Sequence, residues 1–342
     1  LGNFHGLLKF PKADGTTINL VNRKFSHYDA WVAKIDMATK SVVWATSELM
    51  EGRGYGRSVV TTATGHVIAA TESRDGSTYS GNLTKFHGDT GAVVWQKNFG
   101  THLTFSGAKM SSSAEKVYLT GRFKGKDSTA YAPAQALTTS CGDGEDTSAV
   151  VAEFDVSSLT SDGPVATWVT VIGCGNGATA TFVQGDNLYV YGFNGETSIL
   201  THDSTSTEAK CTLSGDMGGF LVKLNKADGK CLWAVDTGKP SRNPKMVANL
   251  DAVWISTASS GTVALDANQT MGLGASYDLL VAKFQASDGV GLWGVAMGGP
   301  QTEYMHDMAM TPTGPVTVGY SQSTSVSLGA VTTTNLQKQA AQ

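Results

Sequence analysis

Five segments of the chain share one hydrophobic pattern that closes on a tryptophan. In each segment a run of β-branched and aromatic residues is followed by a turn and then by a second apolar run. In four copies a lysine precedes the tryptophan by ten positions, whereas Glu153 takes the lysine position in the third copy. Apolar residues flank this position on both faces of the strand. The pattern predicts five β-hairpins that are buried on both faces, which end at Trp44, Trp95, Trp168, Trp233 and Trp293.

A second pattern follows each tryptophan, in which two short apolar runs are separated by a turn, as in "SVVTTATGHVIAATES". Together with the hairpin this gives four strands per copy, and the copies recur roughly every 50–75 residues. A four-stranded unit of this kind cannot bury both its faces alone. The sequence therefore predicts an all-β fold: a β-propeller of four-stranded antiparallel blades, with five complete repeats in a ring of five to seven. Each blade is expected to begin with the hairpin that carries the tryptophan.

Two segments carry a resemblance to known families. "DAWVAKID" (29–36) and "YDLLVAKFQASDGVGLW" (277–293) resemble the blades of bacterial-type seven-bladed β-propeller repeat proteins. The hairpin also resembles the tryptophan-docking motif of quinoprotein propellers. The resemblance implies a propeller fold and leaves activity open. The cofactor site of quinoprotein dehydrogenases has no counterpart in the sequence, so no cofactor is expected.

The domain prediction is a single propeller over residues 1–330, followed by a polar tail or linker over 331–342. "LGNFHG" at the beginning aligns with "TGRFKG" (120–125), which is interpreted as the end of a blade's last strand. The chain is therefore expected to begin inside a blade, either as part of a longer precursor or as a strand that completes a ring.

Charge and hydropathy narrow the classes of function. The net charge is −4 and no lysine–arginine cluster occurs, which argues against nucleic-acid binding. No apolar run reaches the length of a membrane-spanning helix.

The cysteines and two sequons suggest a secreted or extracellular-surface glycoprotein. An even number of cysteines in loop-like settings fits disulfides. Cys141 and Cys174 lie at the entry and exit of one hairpin and form the favoured pair. Cys211 and Cys231 fall at opposite ends of another hairpin, which disfavours their pairing, and free buried thiols are the alternative. The candidate glycosylation sites are Asn82 and Asn268.

Candidate chemistry is sparse. The repeated tryptophans are interpreted as packing between blades, with sugar platforms as the alternative. The repeated lysines are interpreted as structural. The loop "CGDGEDTS" brings three carboxylates together, and it is interpreted either as a solvated acidic loop or as a calcium site: Asp143, Glu145 and Asp146. The seven histidines form no zinc motif.

The sequence leaves two classes of function. The first is a non-catalytic secreted or cell-surface propeller that binds a protein partner or assembles with itself. Its expected binding face is made by the long insertions at 130–147 and 197–214, because variable loops on a rigid scaffold often carry recognition. The second is an enzyme acting on glycans or small alcohols at a central funnel.

Overall fold

The computed structural model describes residues 1–22, 28–47, 53–75, 78–100, 103–105, 110–124, 147–157, 163–174, 177–193, 198–201, 211–213, 218–238, 242–264, 270–273, 276–328 and 331–334. Over these ranges the fold is all-β, with antiparallel sheets and no α-helix. The chain divides into two compact units, of which the first comprises Leu1–Val171 and the second most of the chain from Ile172 onwards.

The first unit contains four sheets. Its strands are β1 (Gly2–Phe4), β2 (Leu7–Pro11), β3 (Thr17–Val21), β4 (Asp29–Asp36), β5 (Ser41–Thr46), β6 (Arg53–Thr61), β7 (Val67–Asp75), β8 (Thr78–Phe86), β9 (Val93–Asn98), β10 (Leu103–Thr104), β11 (Met110–Ser113), β12 (Lys116–Lys124), β13 (Thr147–Asp155) and β14 (Ala166–Cys174), the last of which runs on into the second unit. The sheet orders are β1-β4-β5, β2-β3, β6-β7-β8-β9 and β10-β12-β13-β14, and β11 also pairs with β12 in the last of them.

The second unit repeats the four-strand order twice. Its strands are β15 (Gly177–Gln184), β16 (Asn187–Phe193), β17 (Ser198–Thr201), β18 (Thr212–Leu213), β19 (Gly219–Asn225), β20 (Cys231–Gly238), β21 (Arg242–Ala248), β22 (Ala252–Ser259), β23 (Thr262–Ala264), β24 (Thr270–Gly272), β25 (Asp278–Gln285), β26 (Gly291–Gly298), β27 (Glu303–Thr311), β28 (Gly314–Ser321), β29 (Ser325–Leu328) and β30 (Val331–Thr334). The orders are β15-β16-β19-β20 and β21-β22-β25-β26, the latter extended by β29-β30, while β27 and β28 form a two-stranded sheet.

Four of the tryptophan hairpins share one register. Lys34 lies opposite Trp44 across β4 and β5, and the same lysine–tryptophan pairing recurs at the hairpins that end in Trp95, Trp233 and Trp293. Each of these four hairpins has a register shift directly after the lysine, which places one extra residue in the strand as a β-bulge does. The ten-residue spacing therefore brings lysine and tryptophan side by side on one face.

The position of the hairpin within its sheet differs from the expectation. The predicted unit begins with the tryptophan hairpin, but in β6-β7-β8-β9 the hairpin β8–β9 forms the last two strands. The two strands that follow one tryptophan pair with the hairpin of the next, although in the later sheets the connection to the preceding hairpin is the shorter one. The first copy also departs from four strands, since β1 covers only Asp29–Trp31 of β4.

The core of each unit lies between successive sheets. In the first unit Trp95, Phe99, Phe105 and Phe154 are buried in one apolar cluster. In the second unit Tyr189, Trp233, Ile255 and Phe284 share another. Because both faces of the central strands are apolar, each sheet is stabilised by its neighbours and not by a helix layer.

Candidate functional site

Three of the described junctions between successive sheets are held by a lysine of one sheet and the turn of the next. Lys34 Nζ donates to the Gly88 carbonyl at 2.8 Å, and the Trp44 Nε1–H donates to the same oxygen at 2.9 Å. In the second unit Lys223 and Trp233 share the Ala286 carbonyl in the same way, at 2.8 and 3.3 Å. Lys85 Nζ donates to the Val156 carbonyl at 2.6 Å. The lysines and tryptophans at these junctions therefore make contacts that join neighbouring sheets.

A glycine in the left-handed region lets the turn approach the indole. Gly91 has φ of 70° and lies against the Trp44 ring, and Gly289 has φ of 80° and lies against the Trp233 ring. A Cβ atom at Gly91 would lie 2.5 Å from the Trp44 indole, and one at Gly289 would lie 2.8 Å from that of Trp233. Glycine is thus required both by the backbone conformation and by the close contact.

Buried charges at these junctions are tied to structural partners. Lys85 is 1% exposed, and desolvation lowers the pKa of its ammonium while nearby carboxylates oppose the shift. Burial likewise lowers the pKa of Lys223. Glu153, in the lysine position of the third hairpin, is fully buried and accepts from Lys116 Nζ at 2.6 Å. Glu72 is also fully buried and is paired with Arg57. These buried charged side chains therefore serve as structural contacts.

The turn that contains Val156 is organised by Asp155. Hydrogen bonds from the Ser157 hydroxyl and backbone N–H lower the pKa of this carboxyl group below its usual 3.8, and the N–H bond measures 2.9 Å.

A folded pKa below the unfolded value gives stability that is present above about pH 4 and is lost as pH falls through the folded pKa. We expect Asp155→Asn to lower the thermal midpoint near neutral pH, with the difference from wild type vanishing in acid. A constant difference across a calorimetric pH series would contradict this assignment.

Trp293 is the exception among the hairpin tryptophans. Its Lys283 partner lies opposite it in the usual register, yet Trp293 is 40% exposed, whereas Trp233 is 7% exposed. Within the described residues no carbonyl accepts from Trp293 Nε1 or Lys283 Nζ, and the ammonium instead lies 5.3 Å from the centroid of the Trp254 ring. The lysine and the tryptophan of a junction are therefore both present here. The turn that packs on them at the other junctions is not found among the described residues.

The uncovered indole borders a cavity of about 320 Å³. The strands β25 and β26 contribute Val281, Trp293 and Val295, and β28 contributes Pro315 and Val316. We name these five residues the Trp293 surface. None of the described residues that line this cavity is ionisable. On β28 the exposed side chains of Val318 and Tyr320 continue the apolar strip beyond the cavity. An exposed apolar area of this kind marks an interaction site more readily than a catalytic one.

The disulfide disfavoured by the sequence is present in the structure. Cys211 is bonded to Cys231, with 6.2 Å between their Cα atoms, inside the range that a disulfide permits. The sequence argument placed Cys211 directly at the entry of hairpin β19–β20. Instead the residues after Cys211 form β18, which pairs with β17 and contacts β20. Cys141 lies outside the described residues, and so its pairing with Cys174 stays a prediction.

Several other predicted site residues lie outside the described part of the chain. These are the acidic-loop residues Asp143, Glu145 and Asp146, the sequon residue Asn268, and most of the two long insertions. Among the described residues no cluster of three metal-ligating side chains is found, nor a helix long and apolar enough to cross a bilayer. Asn82 is described: it lies within β8, is buried, and donates to the Ser80 carbonyl at 3.4 Å.

The sequence reasoning missed the Trp293 surface, because the repeat does not state what packs on each tryptophan. A search of protein-family models and a search of curated proteins found no match to this chain. The resemblance to propeller repeat proteins therefore stays an expectation.

Proposed function

We propose that this chain is a secreted, non-catalytic β-propeller module that binds a protein partner through the Trp293 surface. The observation that carries the proposal is the exposed Trp293 beside Lys283, in a register that is covered by a neighbouring turn at the other described junctions. The propeller arrangement is supported by the recurrent four-strand order and by the repeated contact between a tryptophan and the turn of the next sheet.

The disulfide supports the proposed location outside the cell. Cys211–Cys231 joins the residue before β18 to the first residue of β20, and such bonds persist in oxidising compartments. The apolar lining of the cavity beside Trp293 supports binding over acid–base or nucleophilic chemistry, which needs ionisable side chains. The predicted loop face at 130–147 and 197–214 is a second surface through which the same module would bind or assemble.

The state of the native protein tests this function. We expect material purified from its source to sediment as a stable complex in analytical ultracentrifugation, and the recombinant Trp293→Ala chain to lose that partner in reconstitution. Leu250→Ala, which alters an exposed leucine in the same unit, is the matched control and should retain the complex. A native monomer that turns over a sugar or alcohol, with or without added quinone, would establish the enzymatic alternative instead.

A further inference from the structure

The fold gathers four of the chain's six arginines around one buried carboxylate, although the sequence contains no run of basic residues. Arg53 and Arg57 lie on β6 and Arg74 lies on β7, and all three are partly exposed. Arg57 Nε donates to Glu72 Oε2 at 2.9 Å, and the Glu72 side chain is fully buried. Burial lowers the pKa of the Arg122 guanidinium on β12, and the Glu72 carboxylate opposes this shift, so these two groups are also close. We name the four arginines the arginine site.

Two of these arginines face each other directly across a strand pair. Arg53 on β6 and Arg74 on β7 are register partners, so their side chains project from the same face with their Cβ atoms about 5 Å apart. Like charges directly opposite each other destabilise a sheet. The carboxylates on strands β6, β7 and β8 are Asp75 and Glu72, of which Glu72 is already paired with Arg57. Positive charge therefore exceeds negative charge on these three strands.

Neighbouring aromatic rings hold two of the guanidinium groups in place. Arg74 lies over the Tyr79 ring and Arg57 over the Tyr55 ring, each with its Cζ atom 5.1 Å from the ring centroid. Such stacking orients the planar guanidinium group, whose N–H donors remain at its edge. A group that is already ordered loses little conformational entropy when a ligand binds. The arrangement is therefore typical of a preorganised anion site.

We propose that the arginine site binds a tetrahedral oxyanion group, carried either as a sulfate ester on a saccharide or as a phosphate ester, and that Arg53 and Arg74 both donate to it. Guanidinium groups bind pairs of oxygens on such anions through parallel N–H donors. An anion between Arg53 and Arg74 also neutralises the repulsion between them. Glu72 serves to position Arg57 beside this pair. The site lies in the first unit and does not depend on the function proposed for the Trp293 surface.

Two chemically defined probes test the site and separate the two sources of the anion. Sucrose octasulfate carries sulfate esters on a sugar, whereas myo-inositol hexakisphosphate carries phosphate esters. Binding of each probe to the full chain is measured by isothermal titration calorimetry at an ionic strength of about 0.15 M, where attraction between distant exposed charges is largely screened. We expect saturable binding of one probe or both, and the tighter probe identifies the source.

The double variant Arg53→Gln with Arg74→Gln should weaken the binding of that probe about tenfold or more, because two charge-assisted contacts are lost. Replacing the same two arginines with lysine keeps the charge but removes the paired N–H donors, and it should also weaken binding. The matched control is Lys9→Gln with Lys40→Gln, which removes two exposed positive charges from the same unit. This control should keep the affinity within about twofold of wild type. Circular dichroism confirms that each variant is folded.

The free protein offers a second measurement that needs no ligand. Arg53→Gln removes the repulsion across the strand pair, so it should raise the thermal midpoint of unfolding at low ionic strength. The gain should shrink as salt is added, because salt screens the repulsion. A midpoint that stays the same or falls at low ionic strength would contradict the excess of positive charge on which the site depends.

Several binding results would overturn the proposal. These are no saturable binding of either probe, equal affinity of wild type and the glutamine double variant, and an equal loss of affinity in the lysine control. Wild-type affinity in the arginine-to-lysine double variant would show that charge alone, and not guanidinium geometry, attracts the anion. Binding that begins only when the carboxylates of Asp143, Glu145 and Asp146 are replaced by amides would show that the chain's own acidic residues neutralise the arginines.

Discussion

Replacing Trp233 with alanine is expected to destabilise the second unit by about 3–5 kcal/mol, the range for truncating a buried tryptophan. The indole is 7% exposed, packs in the same cluster as Phe284, and donates to the Ala286 carbonyl. Truncation would leave a cavity between two sheets, neither of which can shield that face alone. Urea unfolding followed by far-UV circular dichroism measures the loss.

Trp293→Ala is the matched control because it removes the same side chain from the same position of the next hairpin. Trp293 is 40% exposed and has no covering turn among the described residues. Its truncation should cost less than about 2 kcal/mol, since far less apolar area returns to water. Equal losses for the two variants would mean that the indole at position 233 does not hold neighbouring sheets together.

The local parts of the fold could be predicted from the sequence, and the assignment of strands to sheets could not. The lysine–tryptophan spacing predicts each hairpin because both residues lie on paired, adjacent strands. The pattern does not say whether the strands after Trp95 pair with the hairpin before them or the hairpin after them. That choice depends on which faces are buried against neighbouring sheets and not on connection length, so the predicted unit is offset by half a sheet.

The candidate site shows the same limit. Trp293 could be identified as one of five equivalent residues, but its exposure depends on what packs against it, which the repeat alone does not state. The sequence disfavours the Cys211–Cys231 bond because the two residues after Cys211 show no strand pattern. They form β18, a strand too short to show an alternating pattern. Both the exposure of Trp293 and the Cys211–Cys231 bond depend on contacts between residues that are far apart in the sequence.

Gly91→Ala is expected to destabilise the first unit by about 2–5 kcal/mol, the sum of a backbone and a packing cost. With φ of 70°, the backbone of residue 91 lies in a region that costs an alanine about 1–2 kcal/mol. The added Cβ atom would also lie 2.5 Å from the Trp44 ring. The indole cannot withdraw freely because its Nε1–H is bonded to the Gly88 carbonyl, and so the turn or the sheet must shift.

Gly65→Ala separates these two costs. Gly65 has φ of 82°, and nothing lies within 4 Å of a Cβ atom built there. Its substitution should therefore cost only the backbone share, about 1–2 kcal/mol. The difference between the two variants in urea unfolding measures the contact between turn and indole. A double variant of Gly91→Ala with Trp44→Ala should lose less than the sum of its single changes, because the collision needs both partners. Full additivity, or equal losses at Gly65 and Gly91, would show that the turn does not pack on Trp44.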